Sequence, residues 1–384
     1  MRVGLITHLY PRFAGDWKGI FVANLASFLI ERGHLVVVVT PLWPGTVQTE
    51  VMNNVKVYRF PYWGRRRGQR LGELKSPSPF TLGSLLLSGV WTAARLARRH
   101  NLDLFHGYWV VPGGTIAALA GWLTGRPAVA TAAGSDLNEA AYHPIVSHFV
   151  RFTLGQVRKL MAPGNQLAQR AIELGMSQER VQVLMGHSGI DPERFSEGDR
   201  QGHPVILYVG SFIPPKRVDT ILRAMSRAVE RVPTVRLQLV GDGELRTELE
   251  SLAAELGIAE KVEFLGARPH DEIPGWMRRA DVLVHCSDHE GLPVAIMEAL
   301  GCGLPVVAAD VGGISDLVKE GETGYLLAPD DDVGFADRLV KLVSQPELTA
   351  QLGWNARVFA EAHLAKERVL EQVEAVYAAA IQQS

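Results

Sequence analysis

The feature that most constrains this chain is an alternation of strand and helix patterns that runs through it twice. In the first half, short apolar runs at 3–7, 35–40, 55–60, 102–105, 128–132 and 181–185 alternate with helix-period stretches at 19–32, 82–100, 113–123, 146–160 and 165–174. The β-branched run Leu35-Val36-Val37-Val38-Val39 is the mark of a parallel strand buried on both faces. A polar stretch rich in Asp, Glu, Gly and Pro follows at 191–203, and the alternation restarts with strands at 205–209, 235–240, 262–265, 281–285, 305–309 and 324–327. Alternation of this kind builds parallel sheets covered by helices. The expectation is an α/β protein of two Rossmann-like, doubly wound domains with an interdomain cleft: 1–190, a linker at 191–203, and 204–366, with 367–384 as a C-terminal helix.

A length of 384 residues suits two domains, and 47% apolar with 21% charged residues suits a packed, water-soluble fold rather than a disordered one. The two cysteines, Cys286 and Cys302, sit in apolar runs, which argues for a reducing compartment and against a disulfide framework. The chain opens on a strand, without a charged region followed by an apolar one, so a cytoplasmic protein is expected. The longest apolar stretch, 110–123, is broken by Pro112, Gly113, Gly114 and Gly121 and is too short to span a membrane. Charge is unevenly spread: residues 1–200 hold 22 Lys and Arg against 13 Asp and Glu, and the remainder hold 17 against 28. Much of the excess lies in Arg65, Arg66, Arg67 and Arg70 and in Arg95, Arg98 and Arg99. This is either a solvated surface or a face that meets an anionic acceptor or the inner face of an anionic membrane, where each basic residue is worth roughly 1 kcal/mol. Nucleic acid is not expected, because the cluster lacks interleaved aromatics and the whole chain is slightly acidic.

Ligands of such sheets bind outside the carboxyl ends of the strands. In the first half those ends carry His8 and Tyr10, the loop Gly15-Asp16-Trp17-Lys18-Gly19, Thr40, His106 with Tyr108 and Trp109, Gly134-Ser135-Asp136, and Gly186-His187-Ser188-Gly189. In the second half they carry Gly210-Ser211 with Lys216, Gly241-Asp242-Gly243, Gly266-Ala267-Arg268, Asp288 to Gly291, and Gly312-Gly313. No Gly-x-Gly-x-x-Gly follows the first strand and no Walker loop is present, so dinucleotide and P-loop chemistry lose their usual phosphate cradle. The most informative stretch is Ser287 to Leu300. Pro293 is expected as the first helical residue, leaving the N–H groups of Val294, Ala295 and Ile296 as an anion site. Glu290 and Glu298 flank that site. Carboxylates beside a phosphate are unfavourable unless they accept from something hydroxylated, and a ribose and a sugar are the obvious candidates.

These pieces, in order, resemble the retaining nucleotide-sugar glycosyltransferases of family 4 (glycosyl transferases group 1), which have the GT-B fold. The resemblance is carried by Val209-Gly210-Ser211 with Lys216, Leu239 to Gly243, Val262 to Gly266, Glu290 and Glu298 with seven residues between them, Gly301 to Ala308, Gly312-Gly313 and Gly324-Tyr325-Leu326. It continues more loosely through Gly19 to Val22, Glu31 to His34, Asp103 to His106 and Thr131 to Asp136. It implies that Glu298 binds the ribose hydroxyls and Glu290 the transferred sugar. Gly291, Leu292, Pro293 and Val294 would line the diphosphate and sugar. Lys216, helped by Arg217, would neutralise the diphosphate beside Gly210, Ser211 and Gly241, and a base would stack near Gly266 to Arg268. Gly15 and Gly19 would approach the diphosphate from the first domain, and the last helix would return to that domain. The implied activity is transfer of a hexose, from a UDP-sugar rather than GDP-mannose, to a hydroxyl of a glycan, lipid-linked or cell-envelope acceptor. The chemistry is front-side and needs no metal or cofactor.

Two departures stand out. Ala133 occupies a position where the family often has a His, and Ser211 one where it often has an Arg. They keep open a nucleotide-sugar-binding protein of little activity, and an NDP-sugar epimerase is a further alternative. His106 reads either as a catalytic contact or as a packed histidine. Asp136 reads either as an acceptor-side base or as a helix cap, and His187 as a turn residue. His285, Cys286 and His289 fit no ordinary zinc spacing. Asp330-Asp331-Asp332 is expected to be a capping loop rather than a metal site.

Overall fold

A computed structural model describes the chain except Ala14, Trp17, 65–77, 139–142, His187, 199–201 and 383–384. Arg65, Arg66, Arg67 and Arg70 of the expected membrane cluster, and His187, lie outside the described residues. The chain forms two compact units, Met1–Ser188 with Val369–Ser384, and Gly189–Arg368.

The first unit runs β1 (Arg2–Ile6), α1 (Ile20–Glu31), β2 (Leu35–Pro41), β3 (Thr49–Met52), β4 (Val55–Phe60), α2 (Pro79–His100), β5 (Leu104–Tyr108), α3 (Thr115–Thr124), β6 (Ala128–Thr131), α4 (Ser135–Asn138), α5 (Val146–Gln156), β7 (Lys159–Ala162), α6 (Asn165–Glu173) and β8 (Val181–Val183). The sheet order is β3-β4-β2-β1-β5-β6-β7-β8, parallel except that β3 pairs antiparallel with β4. Side chains alternate across β2: Val37 and Val39 join the core with Leu85, Phe105 and Ile116, while Val36 and Val38 join the opposite core with Val22, Leu25 and Leu29. The sheet therefore has two buried faces, which is why its central strands read as unbroken apolar runs.

The second unit runs β9 (Val205–Val209), α7 (Val218–Arg231), β10 (Arg236–Val240), α8 (Arg246–Glu255), β11 (Val262–Gly266), α9 (Ile273–Met277), β12 (Val282–His285), α10 (Val294–Gly301), β13 (Val306–Ala309), α11 (Ile314–Leu317), β14 (Gly324–Leu327), α12 (Asp332–Ser344) and α13 (Pro346–His363). Its six strands are all parallel, in the order β11-β10-β9-β12-β13-β14. The last helix, α14 (Lys366–Gln382), sets Val369, Leu370, Val373, Val376, Tyr377 and Ala380 into the first unit's core beside Val3 and Leu104. Glu374 on the same helix accepts from Arg32 at 2.8 Å and bonds His34 at 2.7 Å.

Three local expectations are corrected. The stretch 146–160 is not one helix: α5 stops at Gln156 and Lys159–Ala162 is a strand, because a four-residue apolar run has too few residues to show its period. The antiparallel β3 was not anticipated; its Thr-Glu-Val-Met alternation is short and only half buried. The described residues of the 191–203 stretch pack as part of the second unit: Phe195 is buried, Lys366 pairs with Asp191 at 2.7 Å, and Arg357 donates to the carbonyls of Phe195 at 2.5 Å and Pro192 at 3.3 Å.

Strand order locates the sites. In the second unit β9 lies between β10 and β12, so consecutive crossovers leave β9 on one side and then the other. Such a reversal opens a crevice at the carboxyl ends of β9 and β12. In the first unit the corresponding reversal lies between β1 and β5.

Candidate active site

The loops that leave β9 and β12 are stitched together. The Asp288 N–H donates to the Pro215 carbonyl at 2.9 Å, the Arg217 guanidinium donates to Asp288 at 2.8 Å, and Lys216 Nζ donates to Glu290 Oε1. The same Glu290 oxygen meets His285 Nε2 at 2.8 Å and accepts from Ser287 Oγ at 2.9 Å. Oε2 takes no hydrogen bond among the described residues, so the carboxylate is oriented by three groups on one oxygen and presents the other. Burial pushes the Glu290 carboxyl up, but His285 and Lys216 together outweigh it and hold it well below the usual carboxylate range. His285 is itself buried, stacks on Tyr208 with ring centroids 6.3 Å apart, and leaves Nδ1 without a partner among the described residues.

The loop needs two glycines beneath it. Gly313 N–H donates to the Gly291 carbonyl at 2.9 Å. At Gly312, with φ of +59°, an added Cβ would lie 1.9 Å from the Glu290 carbonyl oxygen. Only glycine lets the β13 turn support the Glu290 loop this closely.

Pro293 takes an extended conformation and caps α10 from outside, so Val294 is the first helical residue and the expected placement shifts by one. The Pro293 carbonyl accepts from both Ile296 and Met297, at 3.2 and 3.3 Å. Of the three N–H groups expected at the anion site, those of Val294 and Ala295 take no partner among the described residues, and that of Ile296 does. One turn on, Glu298 is only 4% exposed, and its Oε1 lies 2.5 Å from His270 Nε2.

Other expected donor residues fall around this edge. Gly210 follows β9, where Tyr208 OH donates to the Ser211 carbonyl at 3.1 Å. Gly241 N–H donates to Gly266 at 3.0 Å, closing the ends of β10 and β11. Arg268 is exposed and lies 5.8 Å over the Trp276 ring. Arg217 is engaged with Asp288 and, at 3.6 Å, with Asp219, so its charge braces the Glu290 loop. Leu292 is buried.

In the first unit the loop after β1 is organised by Asp16, which accepts from Arg12 Nε at 2.6 Å and from the N–H groups of Arg12 and Lys18 at 3.1 and 3.3 Å. Gly15 has nothing among the described residues within 4 Å of where a Cβ would be, whereas Gly19 lies against the Leu9 carbonyl and opens α1. Two expectations are corrected here. His106 is fully buried and shares hydrogen bonds with Tyr377 OH and Thr131 Oγ1, each 2.7 Å, so no ring nitrogen is left for a substrate. Burial lowers its pKa to about 3, which keeps it neutral. Asp136 is buried and accepts from the N–H groups of Val110 at 2.6 Å, Gly134 at 2.9 Å and Ala133 at 3.1 Å. It ties two strand-end loops together and offers no free oxygen as a base.

Sequence reasoning missed His285 and Ser287 as supports of Glu290, although both lie at the end of β12 with alternate spacing. It also missed His270, which carries no local signal. Cys286 donates to the Pro329 carbonyl at 3.0 Å, and burial pushes its thiol up to about 12. Among the described residues no group of three or more His, Cys, Asp or Glu is placed to hold a metal ion.

Comparison with known proteins follows the same division. The profile described as "Glycosyltransferase Family 4" matches residues 19–194, and "Glycosyl transferases group 1" matches residues 189–359. The chain is 26% identical to the N-acetyl-alpha-D-glucosaminyl L-malate synthase of Bacillus anthracis, over 96% of this chain and 94% of that protein. Among solved structures it superposes on sucrose-phosphate synthase from Thermosynechococcus elongatus with a TM-score of 0.82 and 21% identity, covering 100% of both chains. Anabaena HepE in complex with UDP-glucose matches with a TM-score of 0.77 and 22% identity, covering 99% of this chain and 100% of that one.

Proposed function

The chain belongs to the family 4 (group 1) glycosyltransferases with the GT-B fold, and from that premise we propose that it moves a hexose from a UDP-sugar to a hydroxyl of a glycan or lipid-linked acceptor with retention of the α-configuration. The observation that carries this is the Glu290 carboxylate, ionised and oriented through one oxygen by Lys216, His285 and Ser287, with the other oxygen open beside the N-terminus of α10. An oriented carboxylate acceptor suits sugar hydroxyls. The Val294 and Ala295 N–H groups suit a diphosphate oxygen.

In this reading Glu298 takes the ribose hydroxyls and Lys216 turns from Glu290 to the diphosphate. The C1–O bond to the diphosphate breaks and a C1–O bond to the acceptor forms on the same face. The leaving diphosphate oxygen takes the acceptor proton. Lys216 and the helix terminus stabilise the charge that develops on the diphosphate, so no metal or cofactor is needed. UDP as the nucleotide is in keeping with the UDP-glucose of the HepE complex.

A second reading, a nucleotide-sugar-binding protein with little turnover, rests on Ala133. Its methyl cannot act where the family resemblance implies a His, and the doubly bonded His106 does not replace it. One assay separates the two: incubation with UDP-, GDP- and ADP-sugars, measuring nucleoside diphosphate released with and without candidate acceptors. Release from a UDP-sugar that rises with acceptor supports transfer. Tight binding without release supports the second reading, and release from GDP-mannose alone overturns the UDP assignment.

We also propose that the first unit meets an anionic membrane surface through α2.

A further inference from the structure

We propose that His270, held in one tautomer by Arg194, is a positioning residue that sets Glu298 for the ribose diol; the inference rests on the donor reading of Glu298. Glu298 lies on the buried side of α10 and is 4% exposed. A carboxylate so placed is costly unless it is hydrogen-bonded. Its one side-chain partner among the described residues is His270 Nε2, at 2.5 Å from Oε1, and Oε2 takes no hydrogen bond there.

The other face of the imidazole decides the proton. Arg194 Nη2 donates to the His270 carbonyl at 2.6 Å and lies 3.2 Å from His270 Nδ1. A guanidinium has donors and no acceptor. His270 Nδ1 must therefore present its lone pair, and the ring hydrogen sits on Nε2, facing Glu298. A neutral imidazole then donates to Oε1 without neutralising the carboxylate. The carboxylate plane is fixed, Oε2 is left whole, and one hydroxyl of a vicinal diol can reach each oxygen. Arg194 is held in turn: its guanidinium lies 5.5 Å over the Phe195 ring, and Phe195 packs against His270 with centroids 6.0 Å apart. The opening residues of the second unit thus supply the outer support of the donor site.

A site built to accept from a hydroxyl rejects the analogue that lacks it, because its buried acceptor is left unpaired. The full chain is titrated with UDP, GDP and ADP and with their 2′,3′-dideoxy forms, and the ratio of affinities is taken for the base that binds most tightly. His270→Ala is expected to lower the preference for the ribo form about tenfold, and to raise donor KM with kcat nearly unchanged. His270→Gln, which keeps a donor, restores most of the preference, and Arg194→Met gives an intermediate loss. Equal weakening of ribo and dideoxy forms by His270→Ala, or no change in either, overturns the inference. Glu298→Ala is the control for the underlying reading. If it too leaves the preference intact, or if no nucleotide binds the unaltered chain, the donor assignment falls and the inference with it. If it abolishes the preference while His270→Ala does not, only the role of His270 falls.

Discussion

Lys216 and Glu290 stand on loops that follow different strands, 74 positions apart, and meet in a charged hydrogen bond at one carboxylate oxygen. The pair is partly buried, with side chains 24% and 11% exposed, and His285 and Ser287 complete the set on the same oxygen. A diphosphate entering this edge would compete for Lys216, while two supports keep Glu290 in place.

Glu290→Gln keeps the shape of the side chain and removes its charge. Transfer is expected to fall about 100-fold or more, as for loss of one preorganised transition-state contact. Affinity for the free nucleoside diphosphate should stay nearly unchanged, since that ligand has no sugar for Glu290 to hold. Product formation and calorimetric titration check the two halves, and near-normal transfer would remove Glu290 from the sugar site.

Lys216→Met acts on the other side of the pair. It is expected to lower kcat by about 10²–10³ and to weaken UDP far more than uridine, because only the former carries the diphosphate. Equal weakening of both ligands would mean that Lys216 merely holds the loop.

The alternation of strands and helices was legible because both sheets bury two faces, so runs such as Val36 to Val39 admit no amphipathic alternative. The Glu290 and Glu298 spacing was legible because both ride on one short loop and helix. What was not legible is non-local. His270 reaches Glu298 from 28 positions away and Arg194 reaches His270 from 76 positions away, and neither separation leaves a periodic trace. His106 and Asp136 looked like site residues because they sit at strand ends. Only packing shows that Tyr377, Thr131 and three backbone N–H groups already occupy them. β7 was lost because Leu160 and Met161 fit the tail of a helix as well as a strand.

Two glycines should respond differently to the same change. Gly312→Ala places a Cβ 1.9 Å from the Glu290 carbonyl oxygen at a φ of +59°, and Gly15→Ala places one in open space at +87°. The first is expected to cost about 2–4 kcal/mol, from strain and overpacking together, and to raise donor KM. The second should cost only about 1 kcal/mol. Denaturant midpoints and donor titrations compare them, and equal losses would show that Gly312 is not pressed against the Glu290 loop.

Acid should destabilise the first unit through His106. Burial holds its folded pKa at about 3, against 6.5 when exposed. Between those values the unfolded chain binds a proton that the folded chain does not, so stability is full above pH 6.5 and falls as pH drops toward 3. Going from pH 7 to pH 5 is expected to cost about 2 kcal/mol from this residue. His8, lowered to about 4 by burial, acts in the same direction. His106→Gln should be less stable at pH 7 yet lose about 2 kcal/mol less on acidification. Identical pH slopes in the two proteins would show that His106 takes up its proton while folded.

The α2 helix makes the membrane proposal testable within the described residues. Phe80, Leu87 and Trp91 are 65%, 75% and 63% exposed at positions that share one helix face, and Trp122 on α3 is 79% exposed. Arg95, Arg98 and Arg99 continue along α2, with the Arg95 guanidinium 4.9 Å from the Trp91 ring centroid. An apolar stripe ending in basic residues suits an interface where rings enter the headgroup layer and arginines meet lipid phosphates. With about 1 kcal/mol per basic residue near an anionic surface, reversing all three charges should release the protein. The full chain is expected to float with vesicles containing phosphatidylglycerol and not with phosphatidylcholine alone. The variant Arg95→Glu, Arg98→Glu, Arg99→Glu should stay at the bottom of the gradient, as should Leu87→Ser with Trp91→Ser. Flotation of the charge-reversed variant equal to that of the unaltered chain would show that this face does not meet lipid.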